Sequence, residues 1–386
     1  MVFSCAQKMK RRNKIYEIAK RCCLVIGRQF TTKETVCVLM EANEKQNLVQ
    51  FTARGNECTV QARLHCRVEQ DGNALLIGSV FQSMLELFGD EATTVETDKS
   101  TISVRNAKAG YRFALMDTAK YPVPEPCTPD LLTEAGNFCE IGAKVLFSAA
   151  KSNGCNSRAL NCVHVMVHDG RWSATSCDGY RLTVVSEDTS RTEPLDLLLS
   201  VEAMKTVLNV FHGVKHCKIG ISGSYAVFCG PQMVLYAKLN EQKFTNVQPI
   251  LDGYCMMHEI EVSGDTLLDS LKRVSAGSTN HAKLLLNQID KHTLRLQFLS
   301  GMDSTITGQT ELDCTVRTPL PQEGFCYNYT YLREAATLMQ GKSIEVQFDK
   351  GGALMLHADN ELHLLLPLRL PKTEAKPKTG RTRKAA

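Results

Sequence analysis

Apolar residues recur at helical spacing in six short segments of the chain, and residues of alternating polarity follow each segment. Positions i, i+3, i+4 and i+7 lie on one face of a helix, so this spacing predicts amphipathic helices that are buried on one side. The alternating stretches, among them RWSATSCDGYRLTVV, predict β-strands with one buried face. The pattern therefore indicates an α+β chain in which short helices alternate with groups of strands.

Three of the predicted helices carry the clearest apolar stripes. The first helix is predicted over Lys8–Cys23, and the others begin near Ala143 and Thr266. The stripes are Ile15, Ile18, Ala19 and Cys22 in the first helix, Ala143, Leu146, Phe147 and Ala150 in the second, and Leu267, Leu268, Leu271 and Val274 in the third. Each stripe is expected to pack against the strands that follow it.

Glycines close the six predicted helices at a regular interval. Glycine often ends a helix because it adopts the left-handed conformation without strain. Gly27, Gly154 and Gly277 are 127 and 123 residues apart, and Gly89, Gly213 and Gly341 are 124 and 128 residues apart. A period of this length indicates repeated domains rather than a solenoid. The chain is thus predicted to contain three copies of one unit, each with two helices and two groups of strands.

The predicted domains span residues 1–125, 126–252 and 253–371. The Pro-rich segment Tyr121–Asp130 marks the first joint, and Gln248–Tyr254 marks the second. Residues 372–386 form a basic tail rich in Lys, Thr and Pro, which is expected to be disordered.

Charge is unevenly distributed along the 386 residues, although the net charge is only +4. Residues 1–28 hold eight Lys and Arg against one acid, and residues 372–386 hold six against one, so the body between them carries a net charge of −8. An acidic body with local basic surfaces is typical of a protein that meets phosphate on one face only.

The sequence carries no signal of an enzyme, a metal site or a membrane protein. The 16 cysteines lack CxxC pairs and zinc spacing, and the motifs GxSxG, GxxxxGK[ST], HExxH and a GxGxxG after a strand are absent. No apolar run is long enough to span a membrane, and the N-terminal apolar residues precede the basic ones, the reverse of a secretory signal. We therefore expect a non-enzymatic cytoplasmic protein without a cofactor or a metal.

The predicted helices carry basic residues away from their apolar stripes. Lys commonly occupies a solvated helix face without a function, and this interpretation stays open for any single helix. The candidate DNA-binding residues are Lys10, Lys14 and Arg21 in the first helix, Lys144 and Lys151 in its second copy, Lys272 and Arg273 in its third copy, and Lys205 and Arg333 in the other helices. If the repeats close into a ring with the helices inside, these residues would contact phosphates without reading the sequence, which permits sliding.

Three short motifs, in a fixed order within the threefold repeat, carry a resemblance to a known family. They are KYPVPEP at Lys120–Pro126, CDGYRL at Cys177–Leu182 and LLLPLRL at Leu364–Leu370. From Met1 to about Pro371 the sequence resembles the beta subunit of bacterial DNA polymerase III, the bacterial sliding clamp. The resemblance implies three DNA-clamp domains, each with two helices on the inner face and antiparallel sheets outside. It also implies a head-to-tail homodimer that forms a ring around double-stranded DNA, with Arg28 at one of the family's DNA contacts.

The family has a peptide-binding cleft formed by its second and third domains. The matching positions are Leu160, Cys177, Gly179, Tyr180, Arg181, Leu182, Ile250, Asn328, Tyr331, Leu364, Leu366, Pro367, Leu368 and Arg369. Leu, Ile and Tyr suit the apolar anchors of a peptide, and Arg181 and Arg369 suit its carbonyls or acidic flanks. The implied partners are a DNA polymerase III alpha-type polymerase, an ATP-dependent clamp loader and other proteins with clamp-binding motifs. On the residues alone, CDGYRL also fits an ordinary hairpin turn, and Leu364–Leu370 also fits a buried edge strand.

The sequence departs from the family at several positions. Phe244–Thr245 replaces a Phe-Pro pair of the cleft, and Cys177 and Tyr180 stand where Thr and His are common. Ala276 and Gly277 fall where some relatives have apolar dimer anchors. These differences leave the strength of the ring interface and the peptide preference open.

The alternative function is that of a non-clamp protein built from the same repeat. One form is a DNA-binding regulator that uses the basic segment Lys8–Arg12, although no helix-turn-helix pattern or zinc spacing accompanies it. The other form is a scaffold without a DNA function, which leaves the basic helix faces unexplained.

Overall fold

The structure is a computed structural model that describes the chain except for residues 6–7, 10–11, 27–33, 123–127, 152–158, 192, 277–282, 300–304 and 370–386. The described chain divides into two compact units. Unit 1 consists of Met1–Asp178 and Val184–Thr245, and unit 2 consists of Gly179–Thr183 and the chain from Asn246 onward. The short segment Gly179–Thr183 therefore belongs to a unit whose other residues come from later in the chain.

Short helices and antiparallel strands build unit 1. Its helices are α1 (Lys14–Val25), α2 (Gly78–Phe88), α3 (Phe138–Val145) and α4 (Val201–Val210). Its strands are β1 (Val2–Cys5), β2 (Lys8–Met9), β3 (Arg12–Asn13), β4 (Cys37–Asn43), β5 (Leu48–Arg54), β6 (Cys58–His65), β7 (Arg67–Gln70), β8 (Gly72–Ile77), β9 (Thr93–Thr97), β10 (Thr101–Arg105), β11 (Gly110–Ala114), β12 (Thr133–Glu134), β13 (Cys162–His168), β14 (Arg171–Cys177), most of β15 (Arg181–Asp188), β16 (Leu195–Ser200), β17 (Lys218–Ser222), β18 (Tyr225–Gly230) and β19 (Met233–Lys238).

Unit 2 has the same kinds of elements. Its helices are α5 (Gln248–Asp252), α6 (Gly264–Ser275) and α7 (Tyr329–Leu338). Its strands are the first residues of β15 together with β20 (Met256–Ser263), β21 (Lys283–Gln288), β22 (Thr293–Leu299), β23 (Ile306–Asp313), β24 (Thr315–Thr318), β25 (Phe325–Asn328), β26 (Ser343–Asp349), β27 (Leu354–Ala358) and β28 (Glu361–Leu365).

The same order of elements occurs three times along the chain. A helix, four or five strands, a second helix and three strands follow one another from α1, from α3 and from α6. Gly89, Gly213 and Gly341 have φ angles of 60°, 73° and 73°, the left-handed conformation expected after a helix. Gly27, Gly154 and Gly277 lie outside the described residues. The predicted threefold order is thus confirmed, whereas the domain limits at 125/126, 252/253 and 371/372 stay predictions.

The first two repeats share a sheet and an apolar core in unit 1. The eight-stranded sheet has the order β12-β17-β18-β19-β6-β5-β4-β8, in which β19 of the second repeat pairs antiparallel with β6 of the first. A second sheet has the order β11-β10-β9-β1-β7, and β16, β13, β14 and β15 lie side by side. In the core, Phe51 stacks on Phe81 with ring centroids 6.3 Å apart, and Phe138 lies 5.1 Å from Phe228. Burial of these large rings stabilises both repeats together.

Unit 2 contains two antiparallel groups of strands. One has the order β28-β27-β26-β20-β24, with the first residues of β15 beside β28, and the other has the order β23-β22-β21-β25. Helix α6 packs on β22 and β23 and against α7. Phe325 stacks on Phe348 with centroids 5.4 Å apart, and the buried Tyr327 hydroxyl donates to the Gly352 carbonyl at 2.7 Å. The hydroxyl group of this large buried side chain therefore has a hydrogen-bond partner.

Two of the three predicted helix stripes are confirmed. The stripe residues of α1 and α6 are buried, and Asp269, Lys272 and Arg273 on the opposite side of α6 are exposed. The predicted start of the first helix at Lys8 is wrong, because Lys8–Met9 pairs with Arg12–Asn13 as two short antiparallel strands and α1 begins at Lys14. None of the described helices is long and apolar enough to cross a membrane.

The predicted stripe of the second copy is wrong in its position. Helix α3 ends at Val145, and its buried residues are Phe138, Ile141, Gly142 and Val145, whereas Ala143 is exposed. The true stripe has helical spacing but includes a glycine, which hides it from a search for large apolar residues. A Cβ at Gly142 would lie 1.7 Å from Cε of Met204 on α4, the end of a flexible side chain that can shift. The nominally polar Ser148 is buried and donates to the Val145 carbonyl at 3.0 Å.

Replacing Gly264 with Ala is expected to destabilise unit 2. Gly264 begins α6, its N–H donates to the Lys342 carbonyl at 2.9 Å, and a Cβ would lie 1.9 Å from the Met339 carbonyl oxygen. Backbone displacement of this kind costs about 1–3 kcal/mol of the free energy of unfolding. The control is Gly351→Ala, where the nearest atom to the added Cβ is at 3.5 Å. Urea denaturation of both variants measures the difference, and equal midpoints would contradict the assigned packing.

Candidate functional site

The cationic residues predicted in unit 1 differ in how they are engaged. Nη1 of Arg21 donates to the Val210 carbonyl at the end of α4, where a cation offsets the partial negative charge of the helix terminus. Nζ of Lys144 lies 3.5 Å from Glu187 Oε1 and 3.8 Å from Glu140 Oε1. Lys151 and Lys205 are exposed, and Lys14 is half-buried. Arg21 thus joins α1 to α4, and Lys151 and Lys205 are the more accessible of these side chains.

The cationic residues predicted in unit 2 are all exposed. Lys272 lies 3.6 Å from Asp269 on the same helix, and Arg273 follows it. The Arg333 guanidinium carbon lies 5.4 Å from the Tyr329 ring centroid. Lys10 and Arg28 lie outside the described residues.

Three residues of the segment Tyr180–Thr183 bind later parts of unit 2. The Leu366 N–H donates to the Tyr180 carbonyl at 2.9 Å, and Thr183 Oγ1 lies 3.0 Å from Nδ1 of His363. Between them, Nη1 of Arg181 donates to the Glu334 carboxylate on α7. The preceding Gly179 has a φ of 87°, which glycine adopts without strain, so the predicted Asp-Gly turn between β14 and β15 is present.

Arg181 also lies over an aromatic ring of α7. Its guanidinium carbon is 4.0 Å from the Tyr331 ring centroid, within the range of a cation–π interaction. The residue is 7% exposed, so its charge is balanced inside the protein by Glu334.

The first turn of α7 is fixed by Asn328. The Asn328 side chain accepts hydrogen bonds from the backbone N–H groups of Thr330 at 2.9 Å and Tyr331 at 3.4 Å. Asparagine is a favoured residue at this position because it satisfies N–H groups that the helix leaves without partners. Asn328, predicted as a cleft residue, therefore holds the backbone that presents Tyr331.

The segment after β28 returns to the start of α7. Strand β28 ends at Leu365, Pro367 has no N–H to extend it, and the Leu368 N–H donates to the Cys326 carbonyl on β25 at 2.7 Å. Leu366, Pro367 and Leu368 are half-buried, whereas Leu364 is buried. The LLLPLRL motif thus contributes two core residues, Leu364 and Leu365, and three partly accessible apolar ones.

The structure thereby brings most of the predicted cleft residues of unit 2 together. Tyr180 is 65% exposed, Tyr331 and the segment Leu366–Leu368 are half-buried, and Arg369 is exposed. Leu182 is buried and serves the core rather than the surface. Ile250 lies on α5 and is 42% exposed. Leu160 and Cys177 lie in unit 1 and are half-buried.

Buried charged and polar side chains lie next to the segment Tyr180–Thr183. Lys342 Nζ lies 3.0 Å from Glu361 Oε1, and Glu361 Oε2 lies 4.0 Å from Nε2 of His363. Burial lowers the pKa of His363 below its ordinary value, although the neighbouring Glu361 opposes this change. His363 is therefore neutral near pH 7 and positions Thr183 through its other ring nitrogen. The described residues contain no cluster of His, Cys, Asp and Glu that could hold a metal ion.

No protein-family model and no curated protein sequence matches the chain. Solved structures match it along almost its whole length. The beta subunit of DNA polymerase III from Thermotoga maritima is 18% identical, with a TM-score of 0.81 over 96% of this chain and 100% of that chain. The corresponding subunit from Pseudomonas aeruginosa is 14% identical (TM-score 0.83), and the DNA polymerase sliding clamp from Bacillus subtilis is 14% identical (TM-score 0.82), each over 96% of this chain and 100% of its own.

The chain has the sliding-clamp fold.

The clamp fold confirms the predicted fold class of repeated helices and antiparallel sheets. It gives no test of the residues assigned to DNA or peptide, which remain proposals. Among the departures from other clamps, Ala276 is exposed at the end of α6, and Gly277 lies outside the described residues. Phe244 is 8% exposed, with its ring centroid 5.1 Å from that of His164.

Reasoning from the sequence missed the groups that hold the predicted site in place. Glu334 and His363 bind Arg181 and Thr183 but were not among the predicted residues. Spacing offers a signal for Glu334, because residues three apart on a helix, here Tyr331 and Glu334, share a face. No comparable local signal exists for His363, whose partner lies 180 residues earlier in the chain.

Replacing Arg181 with Met is expected to lower the free energy of unfolding by about 1–3 kcal/mol, since the Glu334 carboxylate loses its partner and Tyr331 its cation. Arg317→Met is the matched control, because Arg317 pairs with Glu259 at 2.6 Å and Glu261 at 2.8 Å but has a half-exposed side chain. Solvent screens such a pair, so its loss is expected to cost much less. Equal losses in urea denaturation would contradict the structural role of Arg181.

Proposed function

We propose that the chain is one subunit of a DNA sliding clamp. Two copies join head to tail into a ring that encloses double-stranded DNA without regard to its sequence. The observation that carries this proposal is the clamp fold, which extends over 96% of this chain and 100% of the Thermotoga maritima beta subunit. In such a ring, dissociation requires opening of the interface rather than loss of individual contacts.

Exposed cations on the helices provide the contact with DNA in this proposal. Lys205, Lys272 and Arg273 are all exposed and lie on α4 and α6. Contacts between such side chains and phosphates are electrostatic and carry no sequence information, so they guide the duplex without stopping its movement.

The apolar surface of unit 2 is proposed to bind peptides from partner proteins. Tyr180, Tyr331 and Leu366–Leu368 offer aromatic and aliphatic side chains beside a rigid backbone, which suits the anchor residues of a short peptide. The proposed partners are a DNA polymerase III alpha-type polymerase, an ATP-dependent clamp loader and other proteins with clamp-binding motifs. A polymerase tethered in this way rebinds its primer at high effective concentration.

The chain itself is proposed to have no catalytic activity and to require no cofactor. DNA synthesis belongs to the polymerase partner, and ring opening to the ATP-dependent loader. The proposed location is the cytoplasm, together with the bacterial replication machinery.

Retention on nicked circular DNA tests the topological mechanism. After loading by a clamp loader, the protein is expected to stay on the circle through gel filtration and to leave when a restriction enzyme linearises the DNA, because a ring slides off free ends. Blocking the ends with a bound protein should restore retention. Tight binding to a short linear duplex, with no difference between circular and linear DNA, would instead favour the DNA-binding regulator.

Replacing Lys205, Lys272 and Arg273 together with Ala is expected to weaken DNA contact. The loss should show as a smaller dependence of DNA affinity on salt concentration, with a slope reduced by about two to three for three lost phosphate contacts. The control replaces Lys45, Lys99 and Lys120, which are exposed and lie outside α4 and α6. An unchanged slope in fluorescence titrations at several salt concentrations, or the same change in both variants, would contradict the assignment.

A further inference from the structure

Two residues on one face of α7 hold Arg181 inside unit 2. Glu334 and Tyr331 are three residues apart, so their side chains lie on the same side of the helix. Glu334 accepts a hydrogen bond from the arginine, and the Tyr331 ring lies 4.0 Å below the guanidinium carbon. The three side chains form a stack that joins the segment Gly179–Thr183 to α7.

The hydrogen-bonded ion pair between Arg181 and Glu334 stabilises this stack. A guanidinium that is only 7% exposed needs an opposite charge close by, and Glu334 supplies it. Loss of the carboxylate removes a charged hydrogen bond to Arg181, so we expect its guanidinium to be held less firmly over the Tyr331 ring. The backbone around the ring does not depend on this interaction, because Asn328 caps α7 and the Leu366 N–H binds the Tyr180 carbonyl.

We propose that Glu334 is a positioning residue of the peptide-binding surface. Acting through Arg181, it fixes the Tyr331 ring in the orientation that meets an apolar anchor of the ligand. This inference rests on the proposed function of the surface and names a residue that the resemblance to sliding clamps did not supply.

The same arrangement defines the class of ligand. Because Glu334 balances the charge of Arg181, we expect this arginine to contribute little to selection of an acidic residue in the ligand. The apolar side chains around Tyr331 then carry most of the recognition. Arg369 is exposed at the edge of this surface, where solvent screens its interactions.

Fluorescence anisotropy with a labelled synthetic peptide carrying Leu and Phe anchors tests the inference on the full chain. Glu334→Ala is expected to raise the dissociation constant about tenfold by freeing the ring. Glu334→Gln is expected to stay within about threefold of the wild type, since its amide oxygen still accepts from Arg181. Leu366→Asp serves as the reference for the surface itself and is expected to abolish binding.

Gly308→Ala separates positioning from general stability. A Cβ at Gly308 on β23 would lie 2.2 Å from the Val274 carbonyl oxygen on α6, so the variant destabilises the same unit without a clash against α7. Its peptide affinity is expected to equal that of the wild type at temperatures below unfolding. If Gly308→Ala weakens binding as much as Glu334→Ala, the role of Glu334 is structural only and the inference is overturned. It is also overturned if Glu334→Ala binds normally while Leu366→Asp does not bind, an outcome that leaves the proposed function intact. Normal peptide binding by Leu366→Asp would contradict the proposal that this surface binds peptides.

A second titration checks the ligand class. Replacing acidic residues of the probe peptide with their amides is expected to change its affinity by less than about threefold, as for a screened surface interaction. A larger loss that disappears in Arg181→Met would show that Arg181 reads the ligand charge, and would overturn the assignment of its charge to Glu334.

Discussion

Burial of an apolar helix face against antiparallel strands is the interaction on which the rest of this chain depends. It occurs at α1, where Ile15, Ile18 and Cys22 are buried, and again at α6 with Leu267 and Leu271. The requirement is for apolar residues of suitable size at fixed spacing, and many sequences satisfy it. This is why the clamp fold is retained at only 14–18% identity to the solved structures, with surface residues free to vary.

The repeated order of elements could be predicted from the sequence because it depends on local signals. Helical spacing and closing glycines are readable within a dozen residues, and Gly89, Gly213 and Gly341 adopt the expected left-handed conformation. The position of α3 could not be predicted, because its buried stripe contains Gly142, which a search for large apolar residues passes over. The start of α1 was missed for a similar reason, since Lys8–Met9 takes part in a strand pair.

The candidate site was predicted in its residue types but not in its electrostatics. A sequence shows that Arg181 is charged but not that Glu334 lies beside it, and it offers Arg21 as a phosphate ligand although this side chain binds the Val210 carbonyl. Each partner is more than 150 residues away along the chain, so pairing follows only from the fold. Exposed cations such as Lys205, which make no such internal contacts among the described ion pairs, stay the better candidates for DNA.

The first three residues of strand β15 belong to unit 2 and the remaining ones to unit 1. A single cut of the chain therefore cannot separate the two units. A fragment that starts at Asn246 lacks Arg181 and Thr183, so it exposes the edge of β28 and deprives Glu334 and His363 of partners from within their own unit. Such a fragment therefore does not contain the whole of unit 2. During synthesis, Gly179–Thr183 leaves the ribosome long before β28, the strand of unit 2 beside it, so unit 2 is complete only after that later strand has been made.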